Sequence, residues 1–329
     1  MNSRELVKAV FRGQQVARCG YWTGKPHEDT WPQLLSYFGI SDREELFRIL
    51  GDDIRWINLP APRDRIRIRA TDEPVGRGFL QDADDPGILE AYYWTDPDEV
   101  DLQPVLNALE QAGEFYRLTG CLSMFFHGDC FQAFGGMEGY FVKMHTSPEL
   151  VRAFTGKAND YYLSLNRRFF TEAGRLADGL FLSHDLGSQL NILISPGLLE
   201  DFVFPYLKAQ VVLAHAFKLD AVLHCCGAIS DLIPRLIELG VDALHPIQAL
   251  AAGMDARSLQ AFKGQIAFIG GIDTQQLLVS GSPEEIREEV RRVSAILGPM
   301  IISPSHEAIL PNIPARNLEV VSRTVYDKT

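Results

Sequence analysis

The sequence predicts a single α/β domain spanning residues 1–329: a (β/α)8 TIM-like barrel with an N-terminal extension and an excursion over the barrel mouth. Three observations carry that prediction. After residue 117, short runs rich in β-branched or aromatic residues alternate with longer amphipathic stretches, the rhythm of parallel strands joined by helical crossovers. Six such strands fall between residues 120 and 307, enough to suggest closure. The chain of 329 residues exceeds the roughly 250 of a typical barrel, and no clean linker divides it.

Taken in order, "MNSRELVKAVFRGQQ" has the spacing of a polar amphipathic helix, and "DDIRWINL" (52–59) supplies an early strand. Residues 60–117 are polar and turn-rich and form the expected excursion or lid, so that 1–117 holds the extension, first strand and lid, and 118–329 the main repeats. "GCLSMFFHGD" (120–129) precedes a helical pattern near 147–175, and "ADGLFLSHD" (177–185) precedes another at 196–217. "LDAVLHCCG" (219–227) is followed by "ISDLIPRLIELG", whose apolar residues recur at helical spacing. "VDALHPIQ" (241–248), "GQIAFIGGID" (264–273) and "PMIISPSHE" (299–307) complete the series.

A doubly wound open sheet shares this alternation, but it commonly announces a nucleotide by a glycine-rich turn after its first strand. Neither G-x-G-x-x-G nor a phosphate-loop motif occurs, and "GGMEG" (135–139) lacks the lysine and the spacing, so no nucleotide cofactor is expected. Forty-three acids against 31 bases give a formal charge of −12 with no basic stripe, which excludes nucleic acid as a partner. No run approaches the roughly 18 apolar residues of a membrane span, and the N-terminus is not a basic segment with an apolar core. A cytoplasmic protein without a membrane partner is expected. Its five cysteines form an odd set, better expected as thiols than as a disulfide framework.

Reading each strand to its C-terminal end yields Asp129, then His184 and Asp185 with Gln189 beyond, then His224 and Cys226, Gln248, Asp273 and His306. In a parallel barrel these ends open on one face, where loops assemble a site. His224 and Cys226 are two residues apart and point the same way from a strand, with Cys225 opposite as packing. Imidazole and thiolate suit zinc, with His306 joining from a neighbouring strand as a third ligand, although a buried cysteine and a hydrogen-bonded histidine fit the same residues. Asp185 serves as a catalytic acid or base, as a substrate orienter, as a partner of a metal-bound histidine, or simply as a turn residue. Gln189 and Gln248 are substrate-binding candidates. In "GGIDT", Gly270 and Gly271 bring the backbone close to something and leave room for substrate, while Asp273 caps the following helix. His184 points away, and His27, His127, His145, His215 and His245 are expected as surface or core residues.

From about residue 130 onward the sequence resembles the uroporphyrinogen decarboxylase superfamily, which includes cobalamin- and corrinoid-dependent methyltransferases. The resemblance is carried by "SHDLGSQLNILISPGLLEDFVFPYLK", "LHCCGAISDLIPRLIELGVDALHPIQ", "AFIGGIDTQQLL" and "SPSHEAILPNIPARN". It implies the barrel. The decarboxylases bind porphyrinogen carboxylates with an N-terminal arginine-rich stretch followed by an essential aspartate. Here "VARCGYWTGKPHEDTW" offers Arg18 alone as a substrate-binding candidate, and Ile57, Asn58 and Leu59 stand where the aspartate would be. His306 matches the histidine of the decarboxylases' G-H-G-x-L-P-x-x-P pattern.

The methyltransferase branch holds zinc on H-x-C plus a later cysteine and activates a thiol for attack on a methyl-corrinoid. His224 and Cys226 are retained, and His306 stands at the later cysteine's place. The resemblance therefore implies a zinc enzyme moving a methyl group from a corrinoid on a separate carrier protein to a small acceptor, with Asp185 and Gln248 positioning it. The alternatives are a cofactor-free decarboxylase of a carboxylated pyrrole or tetrapyrrole, with Asp185 or His306 as proton donor, and a non-catalytic corrinoid- or tetrapyrrole-binding partner. A small-molecule substrate, the carrier protein and a second copy of the chain are the expected partners.

Overall fold

The computed structural model describes residues 1–327. Eight parallel strands form one sheet: β1 (Gly20–Tyr21), β2 (Ile54–Asn58), β3 (Tyr116–Gly120), β4 (Gly179–Ser183), β5 (Asp220–His224), β6 (Ala243–Ile247), β7 (Ala267–Ile272) and β8 (Ile301–Pro304). Neighbours pair in sequence order from β2 to β8, and β8 then pairs with β1 through Gly20↔Ile301. The last seam, between β1 and β2, is closed largely by side chains. Asp53 N–H donates to the Tyr21 carbonyl at 2.8 Å, the Asp53 carboxylate accepts Tyr21 N–H at 2.9 Å, and Asp52 accepts both the backbone N–H and the hydroxyl of Thr23. The expected (β/α)8 barrel is thus what the chain forms, with helices such as Pro148–Ala173, Phe204–Ala216 and Pro283–Leu297 on the outside.

The N-terminal helix, Ser3–Phe11, begins with a capping box in which Asn2 and Glu5 satisfy each other's free backbone groups. Its Val7 and Val10 join Ile54, Tyr116, Phe181 and Ile269 in the cluster that fills the barrel interior. Arg4 and Lys8 on the same helix reach Asp178, just before β4, so this helix plugs the end where strands begin.

Two elements differ from the sequence expectation. β1 has only two residues, too few to show any periodicity, and it lies within the N-terminal extension. β3 ends at Gly120 (φ +102°), before the expected strand at 120–129, and Phe125–Cys130 wind into a π-helical turn instead. A short apolar run fits either conformation. Asp129 is therefore not a strand-end residue at the mouth; it is buried in an ion pair with Arg65 of the excursion.

The excursion itself carries a small antiparallel pair, Ile66–Ile68 with Tyr92–Trp94. It leans on helix Pro148–Ala173, where Arg65 donates to the Tyr162 hydroxyl and Arg168 to the Pro97 and Val100 carbonyls. Gly78 and Leu80 donate backbone bonds to Gln132 and Ala133, in the segment that leaves the mouth end of β3. Among the described residues, no helix is long and apolar enough to cross a membrane.

Candidate metal centre at the barrel mouth

β4, β5 and β6 lie side by side with Ser183↔His224 and His224↔His245 in register, so both histidines face into the upper barrel. There they pack against Phe181, and His245 also against Trp22. The turns that follow β4 and β5 touch. A Cβ on Gly187 would lie 2.9 Å from the Cys226 carbonyl oxygen, and one on Gly227 (φ +92°) 2.4 Å from the Gly187 carbonyl carbon. Glycine at both positions lets "SHDLG" close over "HCCG", and the Asp185 carboxylate accepts the Cys226 N–H at 2.9 Å.

Around His224 the donors fall into two groups. Its Nε2 lies 3.4 Å from Cys226 Sγ and 3.3 Å from Asp185 Oδ1. On the other edge of the ring, Nδ1 lies 3.0 Å from His245 Nδ1 and 3.5 Å from Glu307 Oε2. Zinc at about 2.1 Å from nitrogen or oxygen and about 2.3 Å from sulfur places tetrahedral ligands roughly 3.3–3.6 Å apart. The His224–Cys226 and His224–Asp185 separations match that spacing, and the ligand atoms of all three residues lie within 4.8 Å of one another.

The electrostatics favour a positive charge among these groups. Burial raises the Cys226 thiol above its ordinary range, and the Asp185 and Glu307 carboxylates push it further. Burial opposes charge on His224 too, yet its bond to Asp185 and the nearby Glu307 carboxylate raise the imidazole above its usual value. Asp185 is held well below the carboxylate range despite burial, by His224, the Cys226 amide and His127. Glu307 Oε2 is buried without a hydrogen-bond partner among the described residues. A divalent cation among these groups would compensate both carboxylates and favour the thiolate, so the residues fit a metal.

Several expected site residues occupy the expected ground. Cys225 packs in the core, its sulfur accepting the Leu186 N–H at 3.4 Å. Gln248 lies at the mouth end of β6, where its side-chain oxygen accepts the Gly227 N–H at 2.8 Å. Asp273 caps its turn, accepting from the backbone of Gln275, Gln276 and Leu277.

Others are placed differently. His306 stands at the rim, its ring centroid 6.3 Å from that of His224, outside both donor groups; its Nδ1 accepts the Ala308 N–H. Glu307, the next residue, reaches His224 instead. Arg18 lies before β1, at the end opposite the mouth, paired with Asp53 at 2.7 Å and stacked on Tyr326. That position separates it from any substrate bound at the strand ends. Gly270 and Gly271 are buried within β7, and the space a Cβ would need is taken by Ile247 backbone and by Val293. Gln189 is exposed, and its side chain makes no hydrogen bond among the described residues.

Sequence reasoning missed His245, Glu307 and His127. His245 could have been found by aligning the mouth ends of β5 and β6, which places it beside His224. Glu307 and His127, whose Nδ1 accepts the Asp185 N–H, sit past the ends of their strands, where alternation no longer says which way a side chain points.

Comparison with known proteins adds three findings. A family model described as Uroporphyrinogen decarboxylase (URO-D) matches residues 132–327. Methylated-thiol–coenzyme M methyltransferase of Methanosarcina mazei is 26% identical over 160 residues, a stretch covering 47% of this chain and 39% of that protein. A solved methyltransferase from Methanosarcina mazei shares the fold with a TM-score of 0.69 at 16% identity, over 99% of this chain and 98% of its own.

Proposed function

The chain belongs to the uroporphyrinogen decarboxylase family, and from that premise we propose that it is a zinc-dependent methyltransferase, moving a methyl group from a corrinoid on a separate carrier protein to a small thiol. The observation that carries this is the convergence of Asp185, His224 and Cys226 from two strand ends at metal-ligand spacing. The similarity to a methylated-thiol methyltransferase supports the reaction class.

In this proposal His224 Nε2, Cys226 Sγ and Asp185 Oδ1 hold the metal, with Asp185 as third donor in place of the expected His306. Zinc bound there supplies Lewis acidity that lowers the pKa of a thiol acceptor. The rest of the work falls to the chain. His245 and Glu307 face His224 Nδ1 and fix the ring so that Nε2 meets Cys226. The Cys226 amide holds the Asp185 carboxylate in place, and Gln248 is tethered to Gly227 beside it. Trp22 and Phe181 keep water from the buried side of the imidazoles. His306, half-buried at the rim, is placed to meet the substrate.

Porphyrinogen decarboxylation finds less support, because the one arginine expected to bind carboxylates, Arg18, lies at the far end of the barrel. Elemental analysis of protein purified without a metal-binding tag tests the proposal. About one zinc per chain is expected, lost in His224→Ala and in Cys226→Ala. Zinc-free protein, or variants with unchanged metal content, would sink it.

A further inference from the structure

Beside the donor groups, between the mouth ends of β6, β7 and β8, lies a pocket of about 290 Å³. Its polar lining is Gln248, Thr274, Gln275, Ser305, His306 and Asn312, with Leu310 and Ile313 as apolar walls; none of the residues lining it is Lys, Arg, Asp or Glu. Gln248 is 9% exposed, and its oxygen is taken by the Gly227 N–H. That bond settles which end of the carboxamide is which and leaves its NH2 group as a donor to the cavity it lines. The side chains of Gln275 and Asn312 make no hydrogen bonds among the described residues, and the Thr274 and Ser305 hydroxyls lie 3.4 Å apart, Ser305 also accepting the Thr274 N–H at 3.2 Å.

This lining offers carboxamides and hydroxyls, which pair with neutral polar groups in either hydrogen-bond sense. It offers no Lys or Arg side chain to an anion that must leave water to enter, and the Glu307 carboxylate lies 3.4 Å from His306 Nδ1. Lys25 lies over the Trp56 ring and lines a separate cavity. The formal charge of −12 adds long-range repulsion of the same sign.

We infer that the acceptor taken by this site is an uncharged thiol whose tail bears an amide or hydroxyl group, and that Gln248, Gln275 and Asn312 select it over a carboxylate or sulfonate of the same length. The thiol rests on the methyl-transfer proposal above; the neutral tail rests on the pocket alone.

Four thiols that share a two-carbon spacer test this: 2-mercaptoethanol, 3-mercaptopropanamide, 3-mercaptopropionate and 2-mercaptoethanesulfonate. Their binding to the full chain is followed by saturation-transfer NMR, which needs no turnover and no metal, and the zinc content of the same samples is measured separately. The two neutral thiols are expected to bind at least about ten-fold more tightly than the two anions. Gln275→Arg, at an exposed position, is expected to bring the anions level or ahead. Anions binding the unaltered protein as tightly as the neutral pair, or no saturable binding of the neutral pair, overturns the inference. Neutral preference in zinc-free protein refutes the metal proposal alone, and zinc-loaded protein without the preference refutes the pocket alone.

Discussion

Asp52 sits fully buried in the seam between β1 and β2, and burial lifts its carboxyl to about 7, against the opposing bonds from Thr23. In the unfolded chain the same group ionises near 3.9. The folded state therefore holds more protons between those values, and the stability this gives is full below about pH 4 and lost as pH rises through about 7. Asp52→Asn removes the titration while keeping an acceptor for Thr23. Its melting temperature is expected to fall less than that of the unaltered protein between pH 4 and pH 8, and two parallel curves would contradict this. Arg18 makes a different prediction. Arg18→Ala strands the buried Asp53 carboxylate, a loss of about 3 kcal/mol by the usual cost of breaking a buried pair. Denaturant unfolding should show that loss while zinc content stays unchanged, since Arg18 is remote from the mouth.

At the scale of the element, β7 shows how one residue permits strand packing. Gly270 has φ +129°, and a Cβ there would lie 2.5 Å from the Ile247 backbone nitrogen, where the β6–β7 register shifts. Gly270→Ala is expected to cost about 2–3 kcal/mol through strain and displacement of β6. Gly197→Ala, where nothing lies within 4 Å and φ is ordinary, is the control expected to leave stability nearly unchanged. Comparable melting temperatures for the two variants would disprove the packing argument. β2 and β4 to β8 were legible because each lies in a short run rich in β-branched or aromatic residues. β1 was not, because two residues carry no period and its position depends on Ile301 and Ile302 of β8, almost the whole chain away.

Across the whole molecule, the excursion is joined to the barrel by a small number of buried polar contacts. The Arg65–Asp129 pair stands out, with 12% and 1% of the side chains exposed. Arg65→Ala leaves Asp129 buried and unpaired, an expected loss of about 3–5 kcal/mol. Because that pair ties residues 60–117 to the segment after β3, limited proteolysis should cut the variant within the excursion before it cuts the barrel. Uniform cleavage along the chain would show that the excursion is held by other contacts. Asp129 was visible in the sequence as an acid, but its partner was not, since the two residues are joined only when the excursion folds back against helix Pro148–Ala173.

The barrel, the strand ends that converge and the pairing of His224 with Cys226 are written in local sequence, because strand alternation and helical spacing repeat along the chain. Tertiary structure decided the company those residues keep. It brings Asp185, His245 and Glu307 to His224, holds His306 at the rim and carries Arg18 to the opposite end. The physical reason is the loss of periodicity where strands end: turn contacts such as Gly187 against Gly227 then set each side chain's direction, and those contacts exist only once the barrel has closed.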